Sequence, residues 1–164
     1  MALTAPQPIH EQHYVGAFGS GVPVLDDWLR RRARANQASG ASRTYVVCDD
    51  SRVVAYYALA SGAVETENAA SRVRRNMPDP IPVVVLARLA IDKNCQGRGL
   101  GHALVKDAAR RVVQAAEIIG IRAIVVHAIS PEAQAFYLAV GFEPSRLQAM
   151  TLMATVADIQ AVLA

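Results

Sequence analysis

Little in this chain invites a metal or a disulfide. Its two cysteines, Cys48 and Cys95, are isolated, with neither metal-ligand spacing nor the density of a disulfide framework. That usage suits a reducing cytoplasm and leaves no metal site to expect. Long hydrophobic runs are missing too. Apolar residues make up 52% of the 164, yet charges interrupt every run before the ~20 residues of a membrane span. The start, Met1-Ala2-Leu3-Thr4-Ala5-Pro6, has neither the basic nor the apolar region of a signal peptide. No repeat, linker or low-complexity segment divides the chain, so one domain over residues 1–164 is expected, long enough to bury a core. The net charge of +3 is mild, and its distribution matters more than its sum.

What is present centres on residues 82–120. Val83 to Ile91 is an apolar, β-branched-rich run that reads as a buried strand. Gln96-Gly97-Arg98-Gly99-Leu100-Gly101 follows, and then Leu100, Leu104, Ala108, Val112, Ala115 and Ile119 fall on one helical stripe. Strand, glycine turn and helix start aim backbone N–H groups into one space, with the positive helix end behind them, which makes an anion site. The alternative is a glycine-rich turn that binds nothing. The spacing is neither that of a Walker loop nor that of the dinucleotide fingerprint, so both are excluded.

Around this centre the expected order is helix, β, β, basic segment, β, helix, β, helix, β. Ser20 to Asn36 reads as one helix with a Leu25, Leu29, Ala33 stripe. Thr44–Cys48 and Val53–Leu59 read as a hairpin turning at Asp49-Asp50-Ser51. Alternating prolines at 78, 80 and 82 favour an extended lead into the central strand. Ile121–Ala128 reads as a strand. The helix Pro131–Val140 should be capped by Ser130 and stopped at Gly141. Residues 147–153 read as a last strand and Val156–Leu163 as a terminal helix.

The loop at residues 96–101 resembles the Gln/Arg-x-x-Gly-x-Gly/Ala signature of the GNAT superfamily of acetyl-CoA-dependent N-acetyltransferases, and Ala135-Phe136-Tyr137-Leu138-Ala139-Val140-Gly141-Phe142 resembles its Phe-Tyr-x-x-x-Gly-Phe motif. The resemblance implies an α/β, single-domain GNAT fold with flanking helices. Its mixed central sheet would splay the fourth and fifth strands, here 83–91 and 123–129. It implies that Gln96, Gly97, Arg98, Gly99, Leu100 and Gly101 hold the pyrophosphate of acetyl-CoA, the acetyl donor. Backbone groups of Leu89, Ala90 and Ile91 would hold its pantetheine arm, or else make ordinary ladder pairs. Tyr137 would protonate the departing thiolate, a task a neutral phenol with a pKa near ~10 can do; the competing role is core packing. Phe136 and Ser130 would lie beside the cofactor.

No carboxylate stands out as a general base. Asp92 and Glu132 read as caps or exposed charges, and His127, ending a strand, as a satisfied core histidine. The gap is informative, because a free α-amine with a pKa of about 7.7–8.0 needs less help than a lysine near ~10.4. Within the superfamily, Pro23-Val24-Leu25-Asp26-Asp27-Trp28-Leu29, Ala41 to Val47, Val73-Arg74-Arg75-Asn76-Met77-Pro78 and Leu86-Ala87-Arg88-Leu89-Ala90 resemble the TacT-like toxins of toxin–antitoxin modules. That branch implies acetylation of aminoacyl-tRNA, a ribbon-helix-helix antitoxin and a homodimer. Arg30, Arg31, Arg34, Arg74 and Arg75 are candidate phosphate contacts, or solvated helix ends. Arg88, inside the central strand, faces either the tRNA acceptor end or a buried ion-pair partner. A transferase acting on a small-molecule or protein amine is the other function the sequence leaves open.

Overall fold

The computed structural model describes residues 2–163. In chain order the elements are β1 (Gln7–Pro8), α1 (Pro23–Arg31), α2 (Ala33–Ser39), β2 (Arg43–Asp49), β3 (Arg52–Val64), α3 (Ser71–Arg74), β4 (Ile81–Ile91), α4 (Leu100–Ala116), β5 (Ala123–His127), α5 (Pro131–Val140), β6 (Glu143–Pro144), β7 (Thr151–Thr155) and α6 (Val156–Leu163). The strands form a seven-stranded sheet ordered β1-β2-β3-β4-β5-β7-β6. It is mixed: β4 and β5 are parallel, while β2–β3 and β5–β7 are antiparallel. The expected α/β class is observed, and the expected elements follow one another in the expected order, with β1, α3 and β6 added and the first helix divided. The β4–β5 register runs from Val83↔Ala123 to Leu86↔Val126; β5 ends at His127, while β4 runs on to Ile91. The chain divides into two compact units, one of residues up to Ala60 with Ala87–Asp107, the other of Ser61–Leu86 with residues from Ala108 on.

In the first unit Leu25, Leu29 and Ala33 pack with Ile9, Phe18, Val46 and Tyr56. Leu29 is fully buried, and truncating such a residue to alanine costs about 2–5 kcal/mol. The single helix expected over Ser20–Asn36 is two. Arg32 leaves the helical basin (φ −122°), yet hydrogen bonds continue on both sides, from Arg32 N–H to Trp28 O at 2.8 Å and from Asn36 N–H to Arg32 O at 2.9 Å. The helix begins at Pro23 rather than Ser20, because Ser20 is held by the Asp26 carboxylate through its N–H (3.0 Å) and Oγ (2.6 Å). The hairpin β2–β3 turns at Asp50, whose φ is +56°.

In the second unit β3 runs five residues beyond the expected end at Leu59. Gly62, inside that extension, permits close packing: a Cβ there would stand 2.9 Å from Val85 Cγ2. The basic segment contains the short helix α3, whose Val73 packs with Ile81, Val83, Val125 and Met153. Helix α5 has the predicted bounds. Strand β7 begins at Thr151 rather than 147, because Thr151 N–H closes a turn onto Gln148 O (3.1 Å) and its register opposes His127. Helix α4 stops at Ala116, which leaves Ile119 off the expected stripe and 65% exposed.

Candidate active site

The β4–α4 junction lies in the first unit and is built on Asp92. That carboxylate is buried and accepts the N–H of Gly19 (3.1 Å) and of Asn94 (3.0 Å), so it is a structural cap. Gln96 Nε2 donates to Ile91 O (2.8 Å) and Ser20 O (3.0 Å), which ties the loop to the end of β4. Gly97 and Gly99 take φ of +77° and +81°, a region L side chains avoid, and a Cβ on either would meet nothing within 4 Å. The loop is thus glycine by conformation and open on its outer side. Gly99 has no side chain with which to cap α4, and the first turn carries no acidic residue, so its leading N–H groups and helix dipole are disposed to meet an anion. Arg98 and His102 are exposed beside it.

Upstream, Ala90 is buried against the cluster of Leu25, Leu29 and Tyr56, while Leu89 and Ile91 are half-buried. All three lie past the last β4–β5 pair. Arg88 has no carboxylate in ion-pair range among the described residues. Its guanidinium carbon instead sits 4.8 Å from the centroid of Trp28, and Nη1 donates to Ala87 O (3.2 Å). Trp28 stacks on Tyr56 at 5.9 Å and 10°. Burial raises the Tyr56 hydroxyl well above its usual range, against the pull of the Arg88 charge. The buried-ion-pair alternative for Arg88 is therefore not what forms; a cation–π stack holds it.

The arginine cluster on α1 and α2 is divided. Arg30 donates to Phe18 O (2.7 Å) and pairs with Asp27, and Arg34 donates to His10 O and His13 O. Both tie the helices to the N-terminal segment. Arg31 is exposed.

In the second unit the β5–α5 junction carries the aromatic motif. Ser130 Oγ accepts Ala133 N–H (3.1 Å), Pro131 occupies the first turn, and Gly141 ends the helix at φ +116°. This places Tyr137 with its ring 8% exposed between Phe136 (5.1 Å, edge-on) and Phe142 (5.6 Å). Its hydroxyl has no hydrogen-bond partner among the described residues, and it is not one of the sealed, unpartnered polar atoms, which are Ser42 Oγ and Thr44 Oγ1. The ring is buried and the phenol tip reaches the surface. Burial pushes this hydroxyl up to about 12. Of the second basic group, Arg72 is held bidentately by Asp158 (2.9 and 2.7 Å), Arg74 is half-buried and Arg75 exposed. Glu132 is exposed in the first turn of α5.

Sequence reasoning missed two features. One is the Trp28–Tyr56 platform under Arg88. The other is His127, which is exposed rather than a core histidine, with Nδ1 3.1 Å from Thr151 Oγ1. Strand alternation alone puts residue 127 on the face of Ala123 and Val125, but it does not show that the strand stops there. Among the described residues no cluster of His, Cys, Asp or Glu could hold a metal, and no helix is long and apolar enough to cross a membrane.

A mixed sheet with a parallel β4–β5 pair, a glycine loop opening the helix after β4 and a buried tyrosine on the helix after β5 are features of an acyltransferase fold. The acetyltransferase (GNAT) domain family matches residues 40–144, and the chain belongs to that family. It is 52% identical over 160 residues to the tRNA-acetylating toxin of Mycobacterium tuberculosis, covering 98% of this chain and 96% of that protein. It superposes on AtaT complexed with acetyl-methionyl-tRNAfMet with a TM-score of 0.91 at 26% identity, covering 99% and 100% of the two chains. Against AtaTR bound with AcCoA the TM-score is 0.85 at 28% identity, covering 99% and 98%.

Proposed function

We propose that this chain is a toxin whose one acetyltransferase domain, residues 1–164, moves the acetyl group of acetyl-CoA to the α-amine of aminoacyl-tRNA. The carrying observation is the 52% identity to a tRNA-acetylating toxin along 98% of the chain. The outcome follows from chemistry: an acetylated α-amine shares its lone pair with the carbonyl and no longer attacks the next peptidyl ester, so translation stops.

The residues fit the donor. Backbone N–H groups at Gly97–Gly101 suit the pyrophosphate, and Gln96 fixes their loop rather than touching phosphate. Arg98 and Leu100 belong to the same binding loop. The main chain of Leu89, Ala90 and Ile91 suits the pantetheine amides. Tyr137 supplies the thiolate proton, with Phe136 packing at its edge; Ser130 serves by holding α5. Arg31 and Arg75 are the exposed cations for tRNA phosphate, with Arg74 beside the latter. Arg30 and Arg34 act by anchoring the helices, and Arg88, stacked on Trp28, meets the acceptor end. A homodimer and a ribbon-helix-helix antitoxin complete the reading, in the cytoplasm where charged tRNA is found.

The test is acetylation of a pool of charged tRNAs with labelled acetyl-CoA, wild type against Tyr137→Phe. Label on the aminoacyl group that the variant loses supports the reading and names the amino acid. Label absent from tRNA, with acetyl-CoA bound, moves the acceptor to small or protein amines.

A further inference from the structure

Arg88 is half-buried in β4, yet among the described residues its guanidinium makes a single hydrogen bond, from Nη1 to Ala87 O at 3.2 Å. It has no ion-pair partner there either. The buried carboxylate on α1, Asp26, is taken by the N–H and Oγ of Ser20. With Nη1 occupied, the unpartnered edge is the one formed by Nε and Nη2, whose N–H bonds run parallel. Arg72 shows that edge in use: its Nε and Nη2 meet the two oxygens of Asp158 at 2.9 and 2.7 Å. Such a fork matches a carboxylate or a phosphate. Half-buried donors without partners are costly.

What holds the guanidinium is aromatic. Its carbon is 4.8 Å from the Trp28 ring centroid. Trp28 lies nearly parallel to Tyr56, which is fully buried with its hydroxyl on Leu25 O at 2.7 Å and the Phe18 ring edge-on at 5.6 Å. The platform is therefore fixed, and a guanidinium stacked on it loses less freedom on binding than a free one. Its position matters as well. Going back from the glycine loop, the main chain runs Ile91, Ala90, Leu89 and then Arg88. A donor laid along it with its pyrophosphate at the loop has its thioester toward Arg88. There the acceptor amine must come within about 3–3.5 Å of the carbonyl. In an aminoacyl-tRNA the first anion inward from that amine is the phosphate joining the last two nucleotides.

We propose that the Nε–Nη2 edge of Arg88 binds the phosphate joining the last two nucleotides of the acceptor, and that Trp28 is the positioning residue that holds this edge in place; the inference rests on the function proposed above. Arg88 supplies two charge-assisted hydrogen bonds, and Trp28 supplies their direction. A contact to backbone phosphate carries no preference among bases and is available in every tRNA, so the choice of amino acid is made by other residues. Lysine does not substitute for this arginine, because a point charge has neither the fork nor the flat face.

The experiment measures affinity for aminoacyl-tRNA from ~50 to ~200 mM salt, with acetyl-CoA affinity alongside, for wild type, Arg88→Ala, Trp28→Leu and the double variant. Arg88→Ala should bind aminoacyl-tRNA about 10–100-fold more weakly, with a salt slope smaller by about 0.7 and acetyl-CoA affinity unchanged. Trp28→Leu should weaken binding about 3–10-fold alone, and by less than about twofold once Arg88 is alanine. Equal losses in both backgrounds overturn the role of Trp28. Two competitors locate the phosphate: an amide-linked aminoacyladenosine with and without a 5′-phosphate. The phosphate should improve inhibition of wild type at least about tenfold and leave that of Arg88→Ala unchanged. Equal inhibition of wild type by the two, or inhibition by neither, overturns the inference. So does Arg88→Ala with wild-type tRNA affinity, which leaves the edge to a protein carboxylate, or with weakened acetyl-CoA binding, which makes the phosphate the donor's. In each of these cases the tRNA reading stands as long as wild type labels aminoacyl-tRNA. A wild type that labels none overturns that reading, and this inference with it.

Discussion

Two junctions in this chain lead from a strand into a helix, and they treat the helix start in opposite ways. Between β5 and α5, Ser130 turns its hydroxyl onto Ala133 N–H and Pro131 has no N–H to offer. That helix start is closed, and the helix carries Tyr137. Between β4 and α4, the residue before the helix is Gly99, at φ +81°, with open space where a side chain would be. That residue has no side chain with which to close the start. Glycine in a left-handed conformation weakens a fold unless something is gained, so its use twice at one junction, against serine and proline at the other, is the difference that the function proposed above requires between a ligand loop and a scaffold.

The sharpest way to test the contrast is Tyr137→Phe. If α5 is scaffold for a proton donor, kcat should fall by about 10²–10⁴-fold while acetyl-CoA affinity stays within about twofold. Stopped-flow rates and calorimetric titration read the two separately. The same variant isolates a pH effect on stability. The folded hydroxyl titrates at about 12 and an unfolded tyrosine near ~10, so the folded chain holds that proton more tightly. The stability it adds is whole below pH ~10 and is lost as pH rises through about 12. Thermal melts between those limits should show wild type losing more than Tyr137→Phe.

Next in size is Gly99→Ala. The Cβ has room, so the penalty comes from the backbone, roughly 1–2 kcal/mol for a left-handed L residue. Relaxation of the loop would turn its N–H groups away from the anion. Acetyl-CoA should bind at least about tenfold more weakly, with kcat at saturation little changed. Equal affinity in calorimetry would mean that the open junction is not where the donor is held.

The two junctions were also the most legible parts of the sequence. Ser130, Pro131 and Gly141 are local signals, and α5 has the bounds they predict. The glycine loop announces itself the same way. What stayed hidden depends on partners distant in sequence. Arg30 and Arg34 look like free cations until the carbonyls of Phe18, His10 and His13 are folded onto them. Arg88 reads as a charge in need of a carboxylate, and only the fold supplies Trp28. The packing role of Gly62 has no local signal, because its neighbour Val85 belongs to a later strand. The break at Arg32 keeps the buried frame of Leu25, Leu29 and Ala33 intact, so no change of periodicity marks it.

The smallest effect is the most pointed check on the closed junction. Ser130→Ala removes one cap, worth about 1 kcal/mol, or about 2–4 °C in melting temperature for a chain of this length. If Ser130 only holds the helix, acetyl-CoA affinity should be unchanged and kcat should follow the small loss of order around Tyr137. A weaker acetyl-CoA complex with an unchanged melting temperature would reverse the assignment, making this hydroxyl a ligand contact. The hydroxyl accepts from Ala133 N–H through one of two lone pairs, and its own hydrogen is still available to a ligand, so the comparison has to be made on both measurements together.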